Sequence, residues 1–348
     1  MKRVLAALVA AAMVAGSLYL RDRLDERAAA GEPGPGGTPV AEDGGAIRLV
    51  CATELRAACE ALPDVELTFE DAGVTADRLV AATSADAGMD AWVVTAPWPE
   101  IVEDARQRAT RAPLLGAATD PVARSPLVLA VWEDRATALE GFCEGSVTWR
   151  CLGEAAPQRW SDVGGEDRWG RVKPAHAAAD TSATGLLVTG QAASGFFGRT
   201  DFTLQDLRTA EFTAWFSGLE QAVPTFERPL ETMLQRGAAA VDAVGATEAE
   251  VLPRVERLGA GRARPLILYP EPVMTADVVV APVAGSGDQR VEAIVEPLAG
   301  ALAEAGWRTP GAGQDAAPSD APTLPEANGL PAAGPLDALR ATWREVAG

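Results

Sequence analysis

The chain has 348 residues, 48% of them hydrophobic, which is enough for a sizeable buried core in one large or two ordinary domains. Its formal charge of -19 excludes a phosphate-backbone partner, because nucleic-acid binding draws on clustered Lys and Arg, and no basic stripe is present. Strong acidity otherwise reports surface solvation and names no cationic ligand.

Residues Val4 to Leu20 form an uncharged apolar run behind Lys2 and Arg3, the pattern of an export signal. An N-terminal apolar helix is expected there, either as a cleaved signal peptide or as a membrane anchor with a charged flank, together covering residues 1–27. No cysteine lies in this run, so lipid attachment to a cysteine is not expected. Residues 28–45 are rich in Gly, Pro and Ala and read as a flexible linker.

The folded body opens with a short apolar strand, Ile47 to Val50, that runs into Cys51-Ala-Thr-Glu and a helix carrying Leu55 and Leu62. Val65 to Phe69 alternates as a second strand, Thr75 is placed to cap a helix through Ala82, and Ala91 to Thr95 reads as a third strand. This βαβαβ rhythm implies a mostly parallel sheet covered by helices, with ligands expected where strands end and helices start. Pro126 to Trp132 is a continuous apolar run of strand length, suited to burial on both faces. A domain-sized insertion follows, with a short helix near Trp160 and helices over Leu204 to Leu219 and Pro229 to Ala239. Strands then return at Leu266 to Tyr269 and Val278 to Ala281, before a helix from Arg290 to Ala305. The chain thus leaves one lobe (46–127), builds a second (128–265) and comes back (266–307). Residues 308–333 read as another Pro/Gly/Ala-rich linker. Leu336, Leu339, Trp343 and Val346 then recur at helical spacing, predicting a docking helix over 334–348.

The four cysteines fall as Cys51 with Cys59 and Cys143 with Cys151. Equal spacing and export to an oxidising compartment predict two local disulfides, while thiolates at this spacing lack the knuckle pattern of structural zinc. No metal and no cofactor is expected.

Asp180-Thr-Ser-Ala-Thr-Gly185 ahead of an apolar run reads as a hydroxyl-rich loop opening a helix, whose free N–H groups and dipole suit an oxyanion. The alternative is an ordinary N-cap with a turn glycine. Thr53 stands at a second helix start, where Glu54 argues against an anion and for a cationic or neutral ligand unless its carboxylate points away. Ser125 lies where the chain crosses between lobes, and Trp98 is either a ligand platform or packing. His176, the only histidine, has no accompanying nucleophile elbow or P-loop, so it reads as a solvated loop residue and no enzyme is expected. A hydrolase using Asp or Glu pairs would instead require two carboxylates converging in one cleft.

Four segments together resemble the type 2 periplasmic (extracellular) solute-binding protein superfamily, as in bacterial domains found alone or fused to von Willebrand A modules. They are Leu49-Val-Cys-Ala-Thr-Glu54, Asp90-Ala-Trp-Val-Val-Thr95, Ala123-Arg-Ser-Pro-Leu-Val-Leu-Ala130, and Lys173-Pro174 leading to Thr181-Ser-Ala-Thr-Gly185. The resemblance implies a two-lobed α/β fold with a hinge. It also implies ligand-binding residues Thr53, Thr95 and Ser125 in lobe one or the hinge, with Ser182, Ala183 and Thr184 in lobe two. The function it implies is extracytoplasmic binding of a small polar solute by hinge closure, as receptor for an ABC-type transporter whose permease would be the membrane partner. The alternative is a membrane-tethered interaction or sensing module that retains the fold without transport.

Overall fold

The computed structural model describes residues 46–82, 87–285, 288–310 and 321–347. The expected apolar helix and the linker over 28–45 lie outside the described residues, among which no helix is long and apolar enough to cross a membrane.

In chain order, β1 (Ile47–Ala52) passes through a tight turn, Thr53–Leu55, into α1 (Arg56–Cys59). Then come β2 (Val65–Glu70), α2 (Ala72–Ala81), β3 (Ala91–Thr95), α3 (Trp98–Arg108) and β4 (Ala123–Trp132). The second lobe adds α4 (Glu133–Phe142), α5 (Trp149–Ala155), β5 (Pro174–Ala175), α6 (Ala183–Phe197), α7 (Ala210–Ala222) and α8 (Pro229–Arg236). It closes with β6 (Ala243–Thr247), α9 (Glu248–Glu256) and β7 (Pro265–Leu268). The chain returns through β8 (Thr275–Pro282) and α10 (Asp288–Glu304), and the last helix is α11 (Ala333–Ala347).

In the first lobe β2 and β3 flank β1 in parallel, and β8 joins β3 antiparallel. The strand β4 belongs to both lobes. Ala123 to Pro126 pairs with β8, whereas Leu127 to Trp132 pairs with β6 on one side and β7 on the other, all antiparallel. Only β5 runs parallel to β6. The sheets are therefore mixed rather than mostly parallel, because the strands that cross between lobes run against their neighbours. The apolar run after Ser125 explains the choice of β4 for this role: it is buried on both faces along its whole second half.

The helix α2 begins at Ala72 behind Asp71, earlier than the expected cap at Thr75. Thr75 is buried within it and donates its hydroxyl to Glu70 at 2.7 Å. The helix α6 is buried around almost its whole circumference, as its apolar and small composition dictates, and forms the axis of the second lobe. One buried apolar cluster runs without a break from Leu49 and Trp92 in the first lobe to Leu186 and Trp149 in the second. A smaller cluster around Val128, Val244 and Met233 fills the far face of the second sheet. Asp242 is buried in that lobe, held by Arg135 at 2.9 Å, the indole of Trp160 and the main-chain N–H of Lys173. A buried carboxylate is tolerated there because every oxygen has a partner.

Candidate functional site

The two lobes meet where β1 and β3 end and where α6 and α9 begin. Ser182 N-caps α6: its hydroxyl accepts from the Gly185 N–H at 2.9 Å, as the Ser-x-x pattern dictates. The same hydroxyl donates to Oε1 of Glu54, across the lobes, at 2.5 Å, and the Ala183 N–H donates to that oxygen at 2.8 Å. A first-lobe carboxylate thus occupies the helix start that the hydroxyl-rich loop predicts as an anion trap. Its other oxygen, Oε2, is shut from solvent and has no hydrogen-bond partner. Burial pushes the Glu54 carboxyl above the usual carboxylate range, Glu250 adds to the rise, and the bonds from Ser182 and Ala183 oppose it.

Further contacts close the same seam. The carbonyl of Ala183 accepts from the Trp98 indole at 3.1 Å and from the Thr95 hydroxyl at 3.4 Å. The Gly73 N–H donates to the Thr181 carbonyl at 2.9 Å, an approach that only glycine permits, since a Cβ there would stand 1.9 Å from the Asp180 oxygen. On the hinge side, Arg308 of the first lobe pairs with the buried Glu248 at the start of α9, which also accepts from Tyr269.

Of the residues expected to bind ligand, Thr95, Ser182 and Ala183 come together at the start of α6. Thr184 is buried in the first turn of the same helix. Thr53 is exposed and turns its hydroxyl to Asp71 at 2.6 Å. Ser125 is buried in β4 and accepts from the Ala249 N–H at 3.0 Å, so it caps α9 across the seam. Trp98 combines packing with a polar contact. His176 is not solvated: it is buried, with Nδ1 facing the Ala177 carbonyl at 2.8 Å and Nε2 facing Glu220 at 3.0 Å.

Sequence reasoning misses Arg340 altogether and leaves the direction of the Glu54 carboxylate open. Glu54 lies 128 positions from its partner, and nothing local marks its direction. Arg340, in α11, joins Asp77 and the Gly73 carbonyl of the first lobe to the Asp180 carbonyl of the second, and lies over the Trp98 ring. Both expected disulfides are present, Cys51–Cys59 closing the turn that carries Glu54 and Cys143–Cys151 tying α4 to α5.

No family model and no curated protein matches the chain. Among solved structures it is similar to iron-bound HitA from Pseudomonas aeruginosa, with 14% identity and a TM-score of 0.56 over 86% of this chain and 99% of that one. A periplasmic thiamin binding protein matches with 12% identity and a TM-score of 0.52, over 90% of this chain and 100% of its own. The periplasmic binding protein P5PA matches with 12% identity and a TM-score of 0.52, over 87% of this chain and 97% of its own. At such identities the likeness establishes the two-lobed periplasmic-binding-protein fold and nothing finer.

Proposed function

We propose that this chain is an extracytoplasmic solute-binding protein that takes a small polar solute between its lobes by hinge closure, as receptor for an ABC-type transporter. One observation carries the reading: the start of α6 in one lobe is met by hydrogen-bonding groups from the other, across a seam bridged by a strand shared between both sheets. Neighbours of the same fold are named for binding thiamin and iron, which places their ligand chemistry in the small-solute range. Two disulfides and the export-type apolar start support an oxidising compartment outside the cytoplasm. Binding residues would be drawn from Thr95, Ser182, Ala183 and Thr184, with Thr53 and Ser125 shaping the adjoining helix starts. The test is a thermal-shift screen of small organic acids, amines, vitamins and inorganic ions, followed by small-angle scattering. A ligand that raises Tm and whose affinity falls with Ser182→Ala supports the reading, and a blank screen counts against it.

A second reading, a tethered interaction module that keeps the fold without transport, is favoured by the unbroken apolar core through the seam and by the α11 strap. It predicts scattering profiles that no solute changes.

A further inference from the structure

The start of α6 is a site by more than its dipole. Ser182 and the Ala183 N–H converge on a single oxygen of Glu54, at 2.5 and 2.8 Å, while the second oxygen is buried with nothing to bond. That donor set suits a planar carboxyl group. A tetrahedral oxyanion would bring further oxygens beside the place of Oε2, where Glu54 itself finds no hydrogen-bond partner, and each unpaired buried acceptor is costly. Of the later donors of the turn, the Gly185 N–H is already spent on the Ser182 hydroxyl.

We infer that Glu54 is a tethered competitor in a carboxylate subsite at the start of α6, and that it sets the specificity of the cleft by refusing small carboxylates that cannot displace it. The inference takes the interlobe seam proposed above as the binding site and names its solute class, a small organic acid. An intramolecular occupant acts at a high effective concentration, so an outside carboxylate binds only when the rest of the solute supplies added contacts. Thr95 and Trp98, which converge on the Ala183 carbonyl, stand next to such a solute. The disulfide from Cys51 to Cys59 brackets Glu54 and holds the competitor in place.

Truncation supplies a direct test, because Glu54→Ala removes a CH2–COO fragment whose outline is that of acetate. Calorimetry and thermal shift with sodium acetate, sulfate, phosphate and chloride are run on the full chain and on Glu54→Ala, Glu54→Gln and Glu54→Ala/Ser182→Ala. The expected result is an acetate affinity at least tenfold higher in Glu54→Ala than in the unaltered chain. Its Tm should rise by about 2 to 4 °C at tenfold saturation. Sulfate, phosphate and chloride should have no comparable effect. Glu54→Gln, which keeps the acceptor oxygen in place, should stay unresponsive, and removal of Ser182 should abolish the rescue. Equal acetate affinity with and without Glu54, or a folded Glu54→Ala that ignores acetate, overturns the inference. If Glu54→Ala does not fold alone, refolding yield in acetate against chloride gives the same decision. The solute screen on the unaltered chain is read separately. A screen hit without acetate rescue removes only the competitor, and acetate rescue with a blank screen removes only the receptor role.

Discussion

Arg340 donates from Nε to the main-chain carbonyl of Asp180 at 2.7 Å, immediately ahead of the α6 start. The other end of the same guanidinium reaches the Gly73 carbonyl at 3.0 Å and the Asp77 carboxylate at 2.9 Å, both in the first lobe. One buried side chain of α11 therefore spans the seam, and the neighbouring Trp343 adds a bond from its indole to Glu220 of α7.

Loss of that span is expected to loosen the closed state. Arg340→Ala takes the donor from the Asp180 carbonyl and a second bond from the Gly73 carbonyl of α2, which costs about 1 to 3 kcal/mol; Asp77, more than half exposed, regains water and adds little. Arg340→Lys should recover only part, since a single ammonium cannot face acceptors on both lobes at once. Chemical denaturation gives the stability change. Small-angle scattering should show a larger radius of gyration for Arg340→Ala, and an unchanged profile would mean that α11 does not hold the lobes together.

Gly73 tests the same seam from its backbone. Gly73→Ala puts a Cβ 1.9 Å from a carbonyl oxygen of the opposite lobe, and no rotamer relieves a contact between a Cβ and a main-chain atom. The helix-propensity gain of about 0.5 to 1 kcal/mol is overwhelmed, so the variant should melt lower and scatter as a more open particle. Gly141→Ala is the control. A Cβ there meets nothing within 4 Å, inside α4, so this variant should match or exceed the parent in Tm.

How far the sequence carries can be judged from particular elements. The apolar run Pro126 to Trp132 is readable as a buried strand from its composition and length alone, but the strand begins at Ala123, where Arg124 is paired with Asp277 at 2.9 Å. A charged residue with a distant partner looks like a loop until the partner is placed. β6, Ala243 to Thr247, is built of small residues and is silent by periodicity. Gly245 is needed there because a Cβ would collide with Val188 and Trp149. At the seam, Ser182 and Ala183 announce themselves through capping chemistry, which is local. Glu54, Arg340 and His176 do not, since their roles depend on partners brought by the fold from far along the chain.

The two disulfides should differ in accessibility. Cys51 and Cys59 are fully buried, whereas Cys143 is partly open and Cys151 is at the edge of burial. Mild reduction followed by alkylation and mass spectrometry should therefore label Cys143 and Cys151 first. Removing either bridge, as Cys51→Ala/Cys59→Ala or Cys143→Ala/Cys151→Ala, should cost about 2 to 3 kcal/mol by the loop-entropy argument for loops this short. Only the first pair should also alter acetate rescue of Glu54→Ala, because only that bridge frames the turn carrying residue 54.

His176 gives the fold a pH dependence whose sign can be worked out. Burial by itself disfavours the imidazolium, but the Glu220 carboxylate at 3.0 Å and the Ala177 carbonyl at 2.8 Å both favour it, and together they hold the pKa above the ordinary histidine value. With an acceptor at each ring nitrogen, the charged form is the one that satisfies both. Because the folded pKa lies above the unfolded one, the stabilisation is fully present below about pH 6.5 and is lost as pH rises through the folded value. Glu54 works in the same direction: its raised carboxyl favours the folded state below the ordinary Glu range and loses that advantage as pH climbs from there to its folded value. The two windows are separable by mutation. Tm measured across the pH range should decline toward the alkaline side in the parent. In His176→Gln the part of the decline that begins above about pH 6.5 should flatten, at a lower overall Tm, while the slope that begins in the ordinary Glu range stays. A His176→Gln profile that falls in parallel with the parent above about pH 6.5 would show that the imidazole is uncharged in the folded protein.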